Sequence, residues 1–205
     1  MDKKPMEHPT ILVMRHDRTA WNTGDSEDKL KGMKYDLPLT PEGIKKAKSF
    51  ADKISALDIA SITRSDRLRA KQSSEPLGKV TGVSVVENKA LNPWDNGYLA
   101  GHRRTEAESR IEYYIAHPKR VVPDGKPYED FYDAVTNFVS SEMAKAKKNP
   151  EEARLIVTHS DVECAITGFI EGEKAEAHCG SSHAPGSLMA VEYKGGKWGI
   201  RDMEI

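Results

Sequence analysis

The feature that most constrains this chain is an alternation of two hydrophobic periods. Short apolar runs of strand length, at 10–14, 59–63, 83–87 and 154–160, are separated by longer stretches whose apolar residues recur at helical spacing. In LTPEGIKKAKSFADKIS, Thr40 is placed to cap a helix and Pro41 to occupy its first position. Ile44, Ala47, Phe50, Ala51 and Ile54 fall on one face, with lysines opposite. Ser65 or Asp66 is expected to cap a second helix, and Gly78 and Gly82 close that region. Further helices are expected over 105–116, 128–147 and 161–170, and two closing strands around Gly195 and Gly196. Strands that alternate with helices imply an α/β protein with a largely parallel sheet covered on both faces.

In such folds ligands bind beyond the carboxyl ends of the strands. Arg15 and His16 follow the first strand, Ser65 to Arg69 the second, the loop 92–101 the third and His159 the fourth. Four polar groups distant in sequence are therefore expected on one rim. Guanidinium forks match phosphate oxygens, and a histidine flanked by cations is held neutral, the form that can attack phosphorus. Fixed guanidinium groups stabilise the charge of a transferring phosphoryl group, and a carboxylic acid is needed to protonate the departing oxygen.

Composition narrows the partners. With 31 basic and 32 acidic residues the formal net charge is −1, so no global field attracts nucleic acid or an anionic membrane, and any anion site is local. The opening MDKKPMEHPT has no apolar segment before the first strand, and no later run is long enough to cross a bilayer. Two cysteines, Cys164 and Cys179, are too few for a disulfide scaffold and fit a reducing compartment, so a cytoplasmic protein is expected. The length fits one domain, residues 1–205. Association with further copies of the chain is left open.

Other phosphate chemistries are absent from the sequence. EPLGKVTG is not a Walker loop, neither cysteine is followed six residues on by arginine, and GDSED is not a nucleophile elbow. His178, Cys179 and His183 bring ligand-type side chains into one loop without a second ligand cluster, so no metal site and no cofactor are expected, and His183 alternatively borders the active site.

The segments RHDRTAWN, LPLTPEG, SDRLRAKQSSE and IVTHS, in this order, resemble the histidine phosphatase superfamily in its phosphoglycerate-mutase-like branch. The resemblance covers roughly residues 11–192 and implies a three-layer αβα sandwich with a mostly parallel central sheet. It makes His16 the nucleophile that is transiently phosphorylated. Arg15, Arg69 and His159 become the phosphate pocket, with Asn22 a further donor. Arg18, which closely follows His16, is a candidate substrate contact, with a surface position the alternative. Ser73 and Ser74 are helix residues rather than catalysts. The resemblance implies a metal-independent phosphatase acting on a small phosphorylated substrate. A mutase and an inactive phospholigand-binding module are the alternatives.

The chain also departs from the family pattern. Asp17 stands where the family has glycine, and is expected to tolerate a left-handed backbone there. Ser160 follows the second histidine in place of glycine, and Pro93 occupies the usual position of the acidic glutamate. Asp95, in the same loop, is the candidate general acid, with Asp161 the alternative. Trp94 and Tyr98 are expected to pack that loop or line the substrate mouth.

Overall fold

The computed structural model describes residues 3–23, 28–173, 175 and 183–203. Among them, six strands form one sheet: β1 (Thr10–Arg15), β2 (Ile59–Arg64), β3 (Val85–Glu87), β4 (Ala153–Thr158), β5 (Leu188–Lys194) and β6 (Lys197–Met203). Their spatial order is β3-β2-β4-β1-β5-β6. The first four run parallel, and the β5–β6 hairpin is added antiparallel against β1. The helices are α1 (Pro41–Ile54), α2 (Leu68–Thr81), α3 (Arg104–Ala116), α4 (Tyr128–Lys148) and α5 (Ser160–Glu171). None of them is long and apolar enough to cross a membrane.

The period-two pattern of β1 explains the layering. Leu12 and Met14 enter a core shared with Ala51 and Ile54 of α1 and Ala70 and Leu77 of α2. Ile11 and Val13, pointing the other way, pack with Val135 and Val139 of α4 and Val162 and Ile166 of α5. Both faces of the strand are apolar because both are covered, which is the expected three-layer α/β architecture. A third cluster, with Leu30, Trp94, Leu99, Ile115 and Tyr128, lies beneath α3 and the 94–99 segment and walls one side of the site described below.

Local signals are resolved one by one. Thr40 caps α1 as expected: its side chain accepts from the Gly43 N–H at 3.1 Å, and Pro41 opens the helix. The start of α2 differs from expectation, since its cap position is Arg67, which makes no side-chain capping bond. Ser65 reaches forward instead, its Oγ accepting from the Arg67 N–H at 3.2 Å, and Asp36 Oδ1 accepts from the Leu68 N–H at 2.8 Å. The helix thus borrows its caps from neighbouring loops, one of them 32 residues away. The third strand is shorter than expected because pairing with β2 begins only at Val85.

One glycine fixes the loop that encloses the site. Gly97 has φ +48°, and a Cβ there would overlap the Pro123 carbonyl oxygen. Gly97→Ala is expected to destabilise the fold by about 1–3 kcal/mol, measured by urea unfolding. Unchanged stability would show that segments 94–99 and 122–126 are not held in this contact.

Candidate active site

β1 and β4 are neighbours in the middle of the sheet, with Arg15 opposite Thr158. The His16 N–H continues the ladder to the Thr158 carbonyl at 2.9 Å, so the residues after both strands emerge side by side. The His16 and His159 rings meet edge to face with centroids 5.1 Å apart. Arg15, His16, Asn22, Arg69, His159 and Asp161 line a single cavity of about 280 Å³.

The hydrogen bonds fix which ring nitrogens carry protons. A carbonyl can only accept, so the 2.7 Å contact between His16 Nδ1 and the Asp17 carbonyl places the proton on Nδ1. Nε2 keeps its lone pair. Arg69 donates from Nε to His159 Nδ1 at 3.2 Å, which puts the His159 proton on Nε2. That proton goes to Ser65 Oγ at 2.8 Å, and the Ser65 hydroxyl donates to Asn92 Oδ1 at 2.8 Å. Burial, then the Arg69 charge, hold both imidazoles well below the usual histidine range, with Lys31 and Arg15 adding to the effect. Two neutral rings therefore sit in a cationic cup.

The cations are costly to bury. Arg69 is only 2% exposed, and burial pushes its pKa down to about 10. It is held by the Tyr35 carbonyl at 3.2 Å, the Gly32 carbonyl at 3.5 Å and a 3.6 Å ion pair with Asp36. Arg15 donates from Nη1 to the His183 carbonyl while its buried Nε has no partner. Asn22 accepts through Oδ1 from the Thr19 N–H at 2.6 Å and its hydroxyl at 2.7 Å, which leaves the buried Nδ2 unpaired. Unpaired buried donors at a cavity wall are suited to an anion.

Three residues are placed differently from expectation. Asp95 does not line the cavity. Its role there is through the backbone, its carbonyl accepting from the Lys126 N–H at 2.9 Å. Asp28, Glu108 and Asp161 do line the cavity, and of these Asp161 is raised from its ordinary carboxyl value by burial despite bonds from the Trp94 N–H at 2.7 Å and the Val162 N–H at 3.1 Å. Arg18 also lies outside the cavity, 3.6 Å from Glu42 at the start of α1. Asp17 needs no left-handed backbone: among the described residues Asp124 is the non-glycine residue with positive φ. Asp17 Oδ1 accepts from the Arg18 N–H at 2.7 Å, its own N–H donates to Ser73 Oγ at 3.1 Å, and a Cβ on Gly186 would come within 2.6 Å of Oδ2.

Other residues fall between expectation and surprise. Trp94 both packs, at 4% exposure, and lines the cavity, whereas Tyr98 packs against the third cluster only. His183 borders the site through its carbonyl, its Nε2 lying 2.9 Å from Asp202. His178 and Cys179 lie outside the described residues. Among the described residues no three His, Cys, Asp or Glu side chains cluster as metal ligands would. Trp21, Lys31, Arg104 and Cys164 also line the cavity and carry no sequence signal beyond residue type.

This is a three-layer α/β protein whose strand ends gather two arginines and two neutral histidines around one cavity, a cup suited to an anion. Over residues 11–205 the chain matches the family model of the histidine phosphatase superfamily, branch 1, and it belongs to that family. A protein of Klebsiella pneumoniae named "Probable phosphoglycerate mutase GpmB" is 24% identical over 190 residues, spanning 92% of this chain and 86% of the relative. Among solved structures, the alpha-ribazole phosphatase of Shigella flexneri superposes with a TM-score of 0.75 at 18% identity, covering 95% of each chain. A mycobacterial glucosyl-3-phosphoglycerate phosphatase gives 0.71 at 19% identity, covering 94% of this chain and 96% of that one. At these identities the structures show a shared fold.

The depressed histidines make stability depend on pH. Both rings stay neutral in the fold, while in the unfolded chain they protonate near pH 6.5. Below that pH the unfolded state binds more protons, so stability is present above about 6.5 and is lost as pH falls, by up to about 1.4 kcal/mol per pH unit per ring. Urea unfolding between pH 8 and 5 is expected to show this slope, reduced in the His16→Gln, His159→Gln double variant. An identical slope in that variant would mean the rings titrate normally.

Proposed function

We propose that this chain is a cytoplasmic, metal-independent phosphomonoesterase that works through a phosphohistidine at His16 on a small phosphorylated substrate. The observation that carries the reading is the open lone pair on His16 Nε2, facing a cavity where Arg15 Nε and Asn22 Nδ2 are buried donors without partners. The phosphoryl oxygens would take up those donors together with Arg69, while the neutral His159, its two ring nitrogens engaged by Arg69 and Ser65, packs edge to face against the His16 ring. In the first step His16 Nε2 forms a bond to phosphorus as the P–O ester bond breaks, and the departing oxygen takes the proton of the Asp161 carboxyl. In the second, the Asp161 carboxylate accepts a proton from water, whose oxygen attacks phosphorus. The P–N bond breaks, inorganic phosphate leaves, and His16 and Asp161 are restored.

Assigning the acid to Asp161 rather than Asp95 follows from position and environment. Asp161 opens onto the cavity, and its raised pKa favours the protonated form that a leaving group needs. Charge on the transferring group is met by guanidinium rather than by metal in this scheme. A cavity of about 280 Å³ suits a small phosphate ester. Two cysteines in the whole chain support the reducing compartment. Phosphoryl transfer back onto a second substrate position is the other reading, favoured by the naming of the curated relatives.

The test is a phosphate-release assay over a panel of small phosphate esters, with EDTA present throughout. His16→Ala is expected to abolish release, and Asp161→Asn to lower kcat about 10²- to 10⁴-fold, least for esters with good leaving groups. Asp95→Asn is expected to stay near wild type. Equal losses at Asp95 and Asp161 would refute the acid assignment, and isomerisation without phosphate release would favour the mutase.

A further inference from the structure

We propose that Lys31 is a further cation of the phosphoryl site, one that touches the bound phosphoryl group directly. This rests on the phosphate-site reading above. Lys31 lines the same cavity as Arg15, His16, Arg69 and His159. Its charge is among those acting on both imidazoles, ahead of Arg15 in each case. No hydrogen bond or ion pair ties its ammonium to any carboxylate among the described residues.

The backbone around Lys31 is held rigidly beside Arg69. Leu30 donates to the His102 carbonyl at 3.0 Å and accepts from the Gly101 N–H at 2.8 Å. The Lys31 carbonyl accepts from the Tyr35 N–H at 3.2 Å, and the Arg69 guanidinium donates to the carbonyls of Gly32 and Tyr35 on either side of this turn. Gly32, with φ +51°, packs so closely on Asn96 that a Cβ would overlap its side chain. Lys31 is therefore presented to the cavity from a fixed loop and is not a free surface lysine.

The groups around its ammonium are mostly cationic. Arg15 at the end of β1, Arg69 of α2 and Arg104 of α3 disfavour its charge and Asp28 on the same loop favours it, while Lys29, Glu108 and Asp161 also line the cavity and His16 and His159 are neutral. Burial, then Arg69 and Arg15, push its pKa down to about 7. In the empty site the lysine is thus half neutral near physiological pH. An arriving phosphate dianion supplies the missing opposite charge, restores the proton, and gains a donor. Anion binding then takes up a proton, and affinity falls as pH rises past about 7.

Equilibrium titration with inorganic phosphate at pH 6 to 9 tests this on the whole chain, comparing wild type with Lys31→Gln and Lys31→Arg. The ionisation of phosphate itself is common to all three and cancels in the ratios. At pH 6, Lys31→Gln is expected to bind about ten- to a hundredfold more weakly than wild type, and Lys31→Arg about equally. Because arginine keeps its charge, wild type should fall behind Lys31→Arg by about tenfold per pH unit above about 7. A wild type to Lys31→Gln ratio near one, a wild type to Lys31→Arg ratio that does not change with pH, or no phosphate binding by wild type would each overturn the assignment. Turnover is not needed for this readout. Loss of the His16 chemistry with the binding ratios intact would refute the phosphohistidine reading and leave Lys31 in place.

Discussion

Parallel pairing of β1 with β4 is the constraint on which the rest depends. It sets Arg15 against Thr158, carries His16 one residue beyond, and brings His159 alongside it. A one-residue slip would turn every side chain of β1 to the opposite face, exchanging Leu12 and Met14 with Ile11 and Val13 between two differently shaped cores. Packing on both faces thus fixes the register, and the register fixes the distance between the two rings. The link from core to chemistry is direct: the strand pair whose packing fills both cores also sets Arg15 and His16 beside His159.

The site so assembled is electrostatically incomplete. Arg15 and Arg69 are almost fully buried, yet Arg15 donates to the His183 carbonyl with its Nε left without a partner, and Arg69 leans on two carbonyls, an imidazole and one half-exposed aspartate. Each unpaired buried donor costs about 1–3 kcal/mol in the empty protein. The fold tolerates this cost because its two flanking cores are large and apolar. A bound anion relieves it. The same field keeps the histidines neutral, so the open lone pair on His16 and the cup's suitability for an anion have a single physical origin.

Much of this was legible in the sequence, for physical reasons that also mark where legibility stops. Strand ends and helix caps are local, so Arg15, His16, Arg69, His159 and Thr40 could be placed from runs of a few residues. Asn22 followed from the resemblance of its segment. Which carboxyl lines the cavity is not a local property. It turns on the path of the loop from Pro93 to Gly97, which leaves Asp95 out of the cavity lining and brings the Trp94 N–H onto Asp161, a contact across 67 residues. Arg18 was misplaced for a related reason: after His16 the chain turns toward α1, where Glu42 is the nearer partner. Lys31 lies in an aperiodic polar loop, and the turn that carries it is held at Gly32 by Arg69 and Asn96, neither of which is near it in sequence.

The account stands or falls on the Nε2 atom of His16. Rapid acid or base quenching of the enzyme during turnover of a phosphate ester, followed by phosphorus NMR and peptide mapping, reports where the phosphoryl group rests. The structure predicts one acid-labile, base-stable phosphoryl group on residue 16, attached at Nε2 because Nδ1 is committed to the Asp17 carbonyl. A phosphoryl group on another residue or on Nδ1, or turnover with no covalent intermediate at all, would contradict it.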